Sequence, residues 1–242
     1  MTEMKVALVT GANKGLGLET ARQLAAKGVY VLVAARDQVK GQLAVEQLRR
    51  EGRSAAFVPI DMKDPMTFEA AAEGIATGFG RLDILINNAG VLLDRQYAPS
   101  ETPMEVWRET FEVNVFGLIG LTRAMLPLLR KSRAGRIVNL SSNLASLSKH
   151  ADPNSDIYHA KPTAYDVSKA AVNSWTIHLA YELRETNIKV NAAHPGWVKT
   201  DMGGEQAPME IAEGVETTIE LAFLDENGPS GGFFHRGERI PW

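Results

Sequence analysis

The sequence has no cysteine and only five histidines in 242 residues. Without cysteine, the chain can form no disulfide, thiolate nucleophile, iron–sulfur cluster or cysteine-ligated zinc site. The histidines are not spaced as metal ligands usually are; they are His150, His159, His178, His194 and His235. We therefore expect no structural metal.

A large charge excess and a long hydrophobic run are also missing. The net charge is −3 and the isoelectric point is near 6.0, so we expect no general attraction to nucleic acid or anionic lipid. No apolar run approaches the ~20 residues of a membrane span. The segment from Met1 to Lys5 has no apolar stretch of the signal-peptide kind. These features predict a cytoplasmic protein with neither a membrane nor a nucleic-acid partner.

The chain does contain short apolar runs, rich in β-branched residues, that alternate with longer amphipathic stretches. This alternation is typical of parallel strands connected by helices. The predicted strands are Lys5 to Thr10, Val29 to Ala34, Ala55 to Ile60, Leu82 to Ile86, Arg136 to Leu140 and Ile188 to Ala193. The tail from Ser230 to Trp242 predicts a turn followed by a last strand.

Helix-start signals lie between these strands. Asp37 and Asp64 stand where N-caps are expected, Pro65 follows the second of them, and Pro103 stands near the start of a long helix. The composition, 45% hydrophobic and 23% charged, is that of an ordinary globular domain. The sequence therefore predicts an α/β fold, a single-domain Rossmann-type doubly wound parallel sheet with helices on both faces, over residues 1–242.

A glycine-rich turn follows the first predicted strand. Its residues are Thr10, Gly11, Ala12, Asn13, Lys14, Gly15, Leu16 and Gly17. Between a strand and a helix, such a turn lets a pyrophosphate approach backbone N–H groups and a helix N-terminus. The same glycines could also serve only as a tight connection.

The end of the second strand indicates which dinucleotide would bind. An acidic residue there holds the ribose 2′-hydroxyl of NAD, whereas a 2′-phosphate calls for Arg or Lys. Arg36 stands at this position and Lys14 supplies a second cation, so both favour NADP(H). Asp37 could clamp a ribose, but its place before a helix is more typical of a cap.

Tyr165 and Lys169 are spaced so that a helix places the phenol and the ammonium on one face. A nearby cation favours the phenolate and lowers a tyrosine pKa from its usual value of about 10. Such a tyrosine is suited to general acid–base catalysis. Taken alone, the spacing also fits a surface amphipathic pair.

Together these residues resemble the short-chain dehydrogenase/reductase family, most closely its carbonyl-reductase-like members. The resemblance covers essentially the whole chain and keeps the family's order of motifs. The matching pieces are Thr10 to Gly17, Asp61, Asn87 to Gly90, Asn114, Ser141 and Ser142, Tyr165 with Lys169, and Pro195 to Met202. In an open α/β sheet, loops at the carboxyl ends of strands converge on one ligand.

The resemblance implies a catalytic set and a cofactor set. The catalytic set is Asn114, Ser142, Tyr165 and Lys169, in which Asn114 holds a water that links the lysine to solvent. The cofactor set is Gly11, Asn13, Lys14, Gly15, Leu16, Gly17, Arg36, Asp61, Met62, Asn88, Ala89, Gly90, Tyr165, Lys169, Pro195, Gly196, Trp197, Val198 and Thr200. Asp61 is implied at the adenine, and Pro195 to Thr200 at the nicotinamide end.

Simpler explanations exist for single members of these sets. The Asn-Gly and Pro-Gly segments could be plain turns, and Asn114 could bond its own helix backbone. Ser141 and Ser142 could both be strand-end turn residues, and the resemblance aligns Ser142 with the catalytic serine.

The stretch between Ser142 and Tyr165 is longer than in many family members. Carbonyl-reductase-like members carry an insertion here that covers a helix face used for oligomers elsewhere in the family, so monomer and homodimer both stay open. Tyr158 lies in this stretch, but its neighbours Lys161 and Pro162 do not provide the helical pairing with a lysine that Tyr165 has. The segment could line or cover the substrate pocket, or form a surface loop, through Leu144, Leu147, His150, Tyr158 and His159.

The expected activity is NADPH-dependent, reversible reduction of a ketone or aldehyde to an alcohol, with Tyr165 as general acid/base. The implied partner is a small-molecule carbonyl or alcohol substrate. Apolar candidates for its pocket, which favour a hydrophobic compound, are Leu92, Leu93, Leu144, Trp197 and Met202. The alternative is a non-catalytic NADP-binding regulatory protein on the same fold, because fold alone does not decide function.

Overall fold

One eight-stranded sheet forms the centre of the computed structural model, which describes residues 4–242. Its strands are β1 (Val6–Thr10), β2 (Tyr30–Ala35), β3 (Ala55–Pro59), β4 (Ile84–Asn87), β5 (Arg136–Leu140), β6 (Lys189–Ala193), β7 (Phe233–His235) and β8 (Glu238–Arg239). Their order is β3-β2-β1-β4-β5-β6-β7-β8, and only the pair β7 and β8 is antiparallel. The predicted parallel sheet is confirmed. The part of the N-terminal interpretation that concerns Met1, Thr2 and Glu3 lies outside the described residues.

Helices connect the strands. They are α1 (Gly15–Ala26), α2 (Gln38–Arg50), α3 (Pro65–Phe79), α4 (Met104–Phe111), α5 (Leu118–Leu129), α6 (Leu147–Ala151), α7 (Thr163–Glu182), α8 (Ile211–Gly214) and α9 (Glu216–Ala222). The predicted N-caps are confirmed, since Asp37 accepts from the backbone N–H of Lys40 and Asp64 from that of Met66. Pro103 directly precedes α4.

Apolar side chains cover both faces of the sheet. Phe68 of α3 and Leu121 of α5 belong to the core on one face, and Leu24 of α1 and Leu48 of α2 belong to the core on the other. Burial of one such side chain contributes about 1.5–3 kcal/mol. Helices on both faces confirm the doubly wound architecture.

The tail differs from the single last strand that we expected. It forms two short strands, β7 and β8, joined by Arg236 and Gly237, whose φ angles are 47° and 77°. Positive φ angles at both central residues are typical of a type I′ two-residue hairpin turn. The turn therefore reverses the chain and adds an antiparallel edge.

The stretch Met104–Leu129 contradicts the expectation that no apolar run approaches the length of a membrane span. By length and composition it could cross a membrane, with a mean hydropathy of 1.3 over its most apolar window, so an apolar segment of that length does exist. The same window is 56% buried inside the protein. A helix that is surrounded by other elements of a core is also apolar on most sides. Burial in the core therefore explains the composition of this stretch.

The strand order reverses between β1 and β4. In open α/β sheets, ligands bind in the crevice outside the carboxyl ends of the strands at such a point. Because β1 ends at Thr10 and β4 at Asn87, the glycine-rich turn and the Asn-Asn-Ala-Gly segment meet there.

Candidate active site

Thr10 and Asn88 join the two strand ends that open the site. Thr10 Oγ1 accepts from the backbone N–H groups of Asn88 and Ala89, both at 2.9 Å. Asn88 Nδ2 donates to the carbonyl oxygens of Thr10 at 2.7 Å and Gly11 at 3.3 Å. Asn88 is thus more than a turn residue, because it fixes the backbone of the glycine-rich turn.

The glycines of this turn are required by backbone geometry. Gly11 and Gly15 have φ angles of 62° and 55°, which favour glycine. A Cβ on Gly17 would lie 2.4 Å from the carbonyl oxygen of Gly11. No acidic side chain stands in the first turn of α1, and its N-cap Lys14 makes no side-chain capping bond. Free N–H groups and the positive end of the helix dipole suit a phosphate.

A cleft of about 1120 Å³ runs from this turn across the ends of the central strands. Of the predicted cofactor residues, its wall includes Gly11, Asn13, Lys14, Gly15, Leu16, Gly17, Arg36, Asp61, Met62, Asn88, Ala89, Gly90, Tyr165, Lys169, Pro195 and Thr200. Three predicted residues of the same segment lie outside that wall: Gly196, Trp197 and Val198. Val198 is buried, and Trp197 Nε1 donates to the carbonyl oxygen of Gly203. Their assignment to the cofactor stays a prediction.

The cations at the cleft mouth differ in their surroundings. Arg36 is exposed and has no hydrogen bond or ion pair within residues 4–242, so its guanidinium is available to a phosphate. Lys14 instead pairs with Asp201 across the cleft. Asp37 caps α2, as its simpler interpretation predicts.

Asn114 lies in a π-helical segment, Glu112–Gly117, between α4 and α5. Its Oδ1 accepts from Val91 N at 2.8 Å, and its Nδ2 donates to Val91 O at 2.9 Å and to Ser168 Oγ at 3.0 Å. The simpler interpretation, that Asn114 bonds its own helix, is wrong. Wider helical turns of this kind are frequent at functional sites, and here the amide joins the loop after β4 to α7.

Ser142, rather than Ser141, acts on the Tyr165 side chain, where it lowers the pKa of the phenol against the effect of burial. Ser142 Oγ also accepts from the backbone N–H of Leu144 at 3.2 Å, which caps a short 3₁₀ turn, Asn143–Ala145. Ser141 Oγ is buried without a hydrogen-bond partner. Ser141 lines the cleft and Ser142 does not, so the choice of the second serine stays a prediction.

Tyr165 and Lys169 are both buried in α7 and both line the cleft. Burial raises the pKa of Tyr165 to about 12, against the opposing effects of Ser142 and of the charge of Arg95. Burial lowers the pKa of Lys169 to about 8. The expected fall in the tyrosine pKa is therefore not seen in this structure, because desolvation of the phenolate outweighs the favourable contacts. The phenol is a protonated donor at neutral pH.

The segment between Ser142 and Tyr165 folds into the 3₁₀ turn, α6 and further turns. Leu147 is largely exposed, whereas His150 is half-buried and hydrogen-bonded to the carbonyl oxygen of Leu144. Tyr158 stacks edge-on with His159, and Lys161 Nζ lies 5.0 Å from the Tyr158 ring centre. Tyr158 does not line the cleft.

Sequence reasoning missed several residues of the site. Val91 and Leu140 line the cleft; Leu140 ends β5 and Val91 lies in the loop after β4, positions that were a usable signal. Asp94 is buried against the start of α7, and its Oδ2 accepts from Ala164 N at 2.6 Å. No local pattern indicates this contact, because only the fold brings the two segments together.

Within residues 4–242, no group of three or more His, Asp or Glu side chains is arranged to hold a metal ion.

Comparison with known proteins agrees with this geometry. Residues 5–211 match the short chain dehydrogenase family. The chain belongs to that family. It is 34% identical to carbonyl reductase (NADPH) 1 of Mus musculus over 276 residues, covering 98% of both chains. It is 33% identical to a (+)-neomenthol dehydrogenase of Capsicum annuum over 307 residues, covering 98% of this chain and 97% of that protein.

Solved structures extend the likeness to three dimensions. The crystal structure of NADPH-bound carbonyl reductase from chicken fatty liver superimposes with a TM-score of 0.87 at 29% identity, covering 99% of this chain and 100% of the other. The predicted family resemblance, including its carbonyl-reductase character, is confirmed. The protein is a short-chain oxidoreductase with a Rossmann-type fold.

Proposed function

We propose that this protein is an NADPH-dependent carbonyl reductase that converts a ketone or aldehyde reversibly to an alcohol. One observation carries the proposal: Tyr165 and Lys169 both line the cleft that starts at the glycine-rich turn. The relatives named for NADPH-linked carbonyl reduction support it.

The residues present fit a dinucleotide that carries a 2′-phosphate. The glycine-rich turn and the uncapped start of α1 suit the pyrophosphate, and the unpaired Arg36 suits the 2′-phosphate. Asp61 lines the same cleft, and we assign it the contact with the adenine. When bound, the nicotinamide cofactor supplies the hydride.

The chain's own residues supply the proton and the alignment. Tyr165 holds a proton at neutral pH, because burial keeps its pKa at about 12, and it gives this proton to the carbonyl oxygen. Ser142 hydrogen-bonds the same oxygen and restricts its direction. Lys169 donates to Leu140 O at 2.7 Å, and we assign it the contact with the cofactor ribose. Asn114 fixes the loop and helix around this group.

A panel of small and medium ketones and aldehydes, assayed by NADPH consumption, tests the proposal. We expect turnover by the wild type and by Tyr158→Phe, and nearly none by Tyr165→Phe. The rival is a non-catalytic NADP-binding regulator on the same fold. NADPH binding without turnover across the panel would support that rival.

A further inference from the structure

Two aspartates behind Tyr165 take no part in the mechanism above. Asp94, in the loop after β4, is fully buried at 0% exposure. Its Oδ2 accepts from the backbone N–H of Ala164 at 2.6 Å and faces that of Tyr165 at 3.4 Å. Because the start of a helix is positive, this carboxylate is well placed to hold the first turn of α7.

Asp166 lies next to Tyr165 and is also buried, at 8% exposure. Side chains of a helix lean toward its N-terminus, which directs Asp166 toward the end that Asp94 caps. Oδ1 of Asp94 and Oδ1 of Asp166 are both buried without a hydrogen-bond partner. Burial and the charge of Asp94 raise the pKa of Asp166 to about 8, against the charge of Lys161.

His150 connects this pair to the inserted segment. Its Nδ1 lies 2.9 Å from Lys161 Nζ, which can only donate, so Nδ1 is the acceptor and Nε2 carries the hydrogen. Nε2 then donates to Leu144 O at 2.9 Å and faces Asp166 Oδ2 at 3.1 Å. Burial and the charge of Lys161 lower the pKa of His150, which keeps it neutral.

We propose that Asp94 and Asp166 share one proton through their unpartnered oxygens, and that this pair, tied to His150, positions Tyr165 against Ser142. Two carboxylates in one buried site do not both ionise. A proton on Asp166 turns an orphaned acceptor into a donor and satisfies both oxygens. The contacts run from Ser142 Oγ through Leu144 and His150 to Asp166, beside the reacting tyrosine.

This arrangement has a consequence for the reaction, which rests on the proposed function. Four titratable groups face Asp166: Asp94 from the loop after β4, His150 and Lys161 from the inserted segment, and Tyr165 from its own helix. Loss of the shared proton adds a second negative charge beside Tyr165, and the charge of Asp166 raises the pKa of that phenol. It also removes the donor to Asp94. At alkaline pH both effects therefore oppose proton donation by Tyr165 and its positioning against Ser142.

Infrared spectroscopy of the full chain with NADPH and no carbonyl compound tests the shared proton. We expect a band from a buried protonated carboxyl group at neutral pH, which fades as the pH rises through about 8 and is absent in Asp166→Asn. Asp156→Asn, an exposed change in the inserted segment, is the matched control and keeps the band. No such band in the wild type, or its survival in Asp166→Asn, would overturn the inference. Because no turnover is involved, this result is separate from any failure of the proposed function.

The positioning role is tested by two substitutions of His150, each checked for folding by thermal melting. His150→Ala removes the donor to Asp166, and we expect kcat to fall roughly tenfold or more, as misalignment does, with KM for NADPH unchanged. His150→Gln keeps an amide donor near the place of Nε2 and should restore most of kcat. An equal kcat in the two variants, or a change confined to KM, would show that His150 does not position Tyr165 against Ser142.

Discussion

Lys169 Nζ lies 5.7 Å from the centre of the Tyr165 ring and 2.7 Å from the carbonyl oxygen of Leu140, the last residue of β5. The strand end therefore holds the ammonium beside the phenol. Since both groups are buried, the pKa of Tyr165 is about 12 and that of Lys169 about 8. The pair presents a protonated phenol next to a cation whose own proton is weakly held for a lysine.

Tyr165→Phe should keep the fold and NADPH binding and lose nearly all turnover. Phenylalanine preserves the buried ring and deletes only the proton donor, and general acid–base help is worth typically about 10²–10⁴-fold. Single-turnover hydride transfer measures this loss in the chemical step.

Tyr158→Phe is the internal control for that measurement. Tyr158 lies outside the cleft and contacts His159 and Lys161, so its hydroxyl should matter little. If Tyr165→Phe transfers hydride at the wild-type rate while Tyr158→Phe is inactive, the inserted segment rather than α7 supplies the acid.

Arg36→Ala should weaken NADPH binding much more than NADH binding. The Arg36 side chain has no hydrogen bond or ion pair in the described part of the chain, so the only contact that we expect the change to remove is the proposed one with the 2′-phosphate. A charge-assisted hydrogen bond is worth about 1.5–3 kcal/mol, or roughly tenfold to a hundredfold in affinity. Fluorescence titration of both cofactors measures the ratio. Arg50→Ala, at the far end of α2, is the control, and equal losses for the two cofactors would disprove the assignment.

Much of the site was predictable because it stands on strand ends. Glycines at positive φ and the residues that directly follow apolar runs carry local signals. Arg36 after β2 and Ser142 after β5 were assigned to the site in this way, together with the resemblance. The site geometry then depends on sheet order, which short parallel strands and crossover helices already constrain.

The remainder depends on contacts between distant segments. The π-helical turn around Asn114 accompanies its bonds to Val91, and no residue in Glu112–Gly117 marks it in advance. The high pKa of Tyr165 follows from burial, which the helical spacing to Lys169 does not reveal. Asp94 reaches Ala164 across 70 residues of sequence. Each of these features requires the assembled core.

The inserted segment is expected to favour a monomer in solution. It lies against the start of α7 through the contact of His150 with Asp166. Phe116 and Val167 nevertheless remain exposed on neighbouring helices, so an apolar surface for a homodimer is still open. Static light scattering at micromolar concentration distinguishes the two states. A stable tetramer would show that the insertion blocks no pairing face.

Gly17→Ala should destabilise the protein and weaken NADPH binding. The new Cβ would lie 2.4 Å from Gly11 O and 2.6 Å from Asn88 Nδ2, atoms that the Asn88–Thr10 contacts hold in place, and overpacking costs about 1–3 kcal/mol. Gly74→Ala is the same change inside α3, where a Cβ meets nothing within 4 Å, and should stabilise by up to about 1 kcal/mol. Urea unfolding and NADPH titration of both variants measure the difference. A Gly17→Ala protein with wild-type stability and affinity would refute the close packing of the turn.

His194 should make the protein less stable as the pH falls from about 6.5 toward about 3. Burial lowers its pKa from 6.5 to about 3, and the charges of His235 and Lys149 act in the same direction. Between these values the unfolded chain binds a proton that the folded chain does not, so the free energy of unfolding decreases as the pH decreases. His194 Nδ1 also accepts from the backbone N–H of Gly196 at 3.3 Å, a bond that protonation of Nδ1 would break.

Urea unfolding across this pH range measures the effect. The free energy of unfolding should change less steeply with pH for His194→Asn, which does not titrate, than for the wild type. His178→Asn, on the exposed side of α7, controls for loss of a histidine as such, and identical slopes for His194→Asn and the wild type would show that this imidazole is not held neutral by the fold.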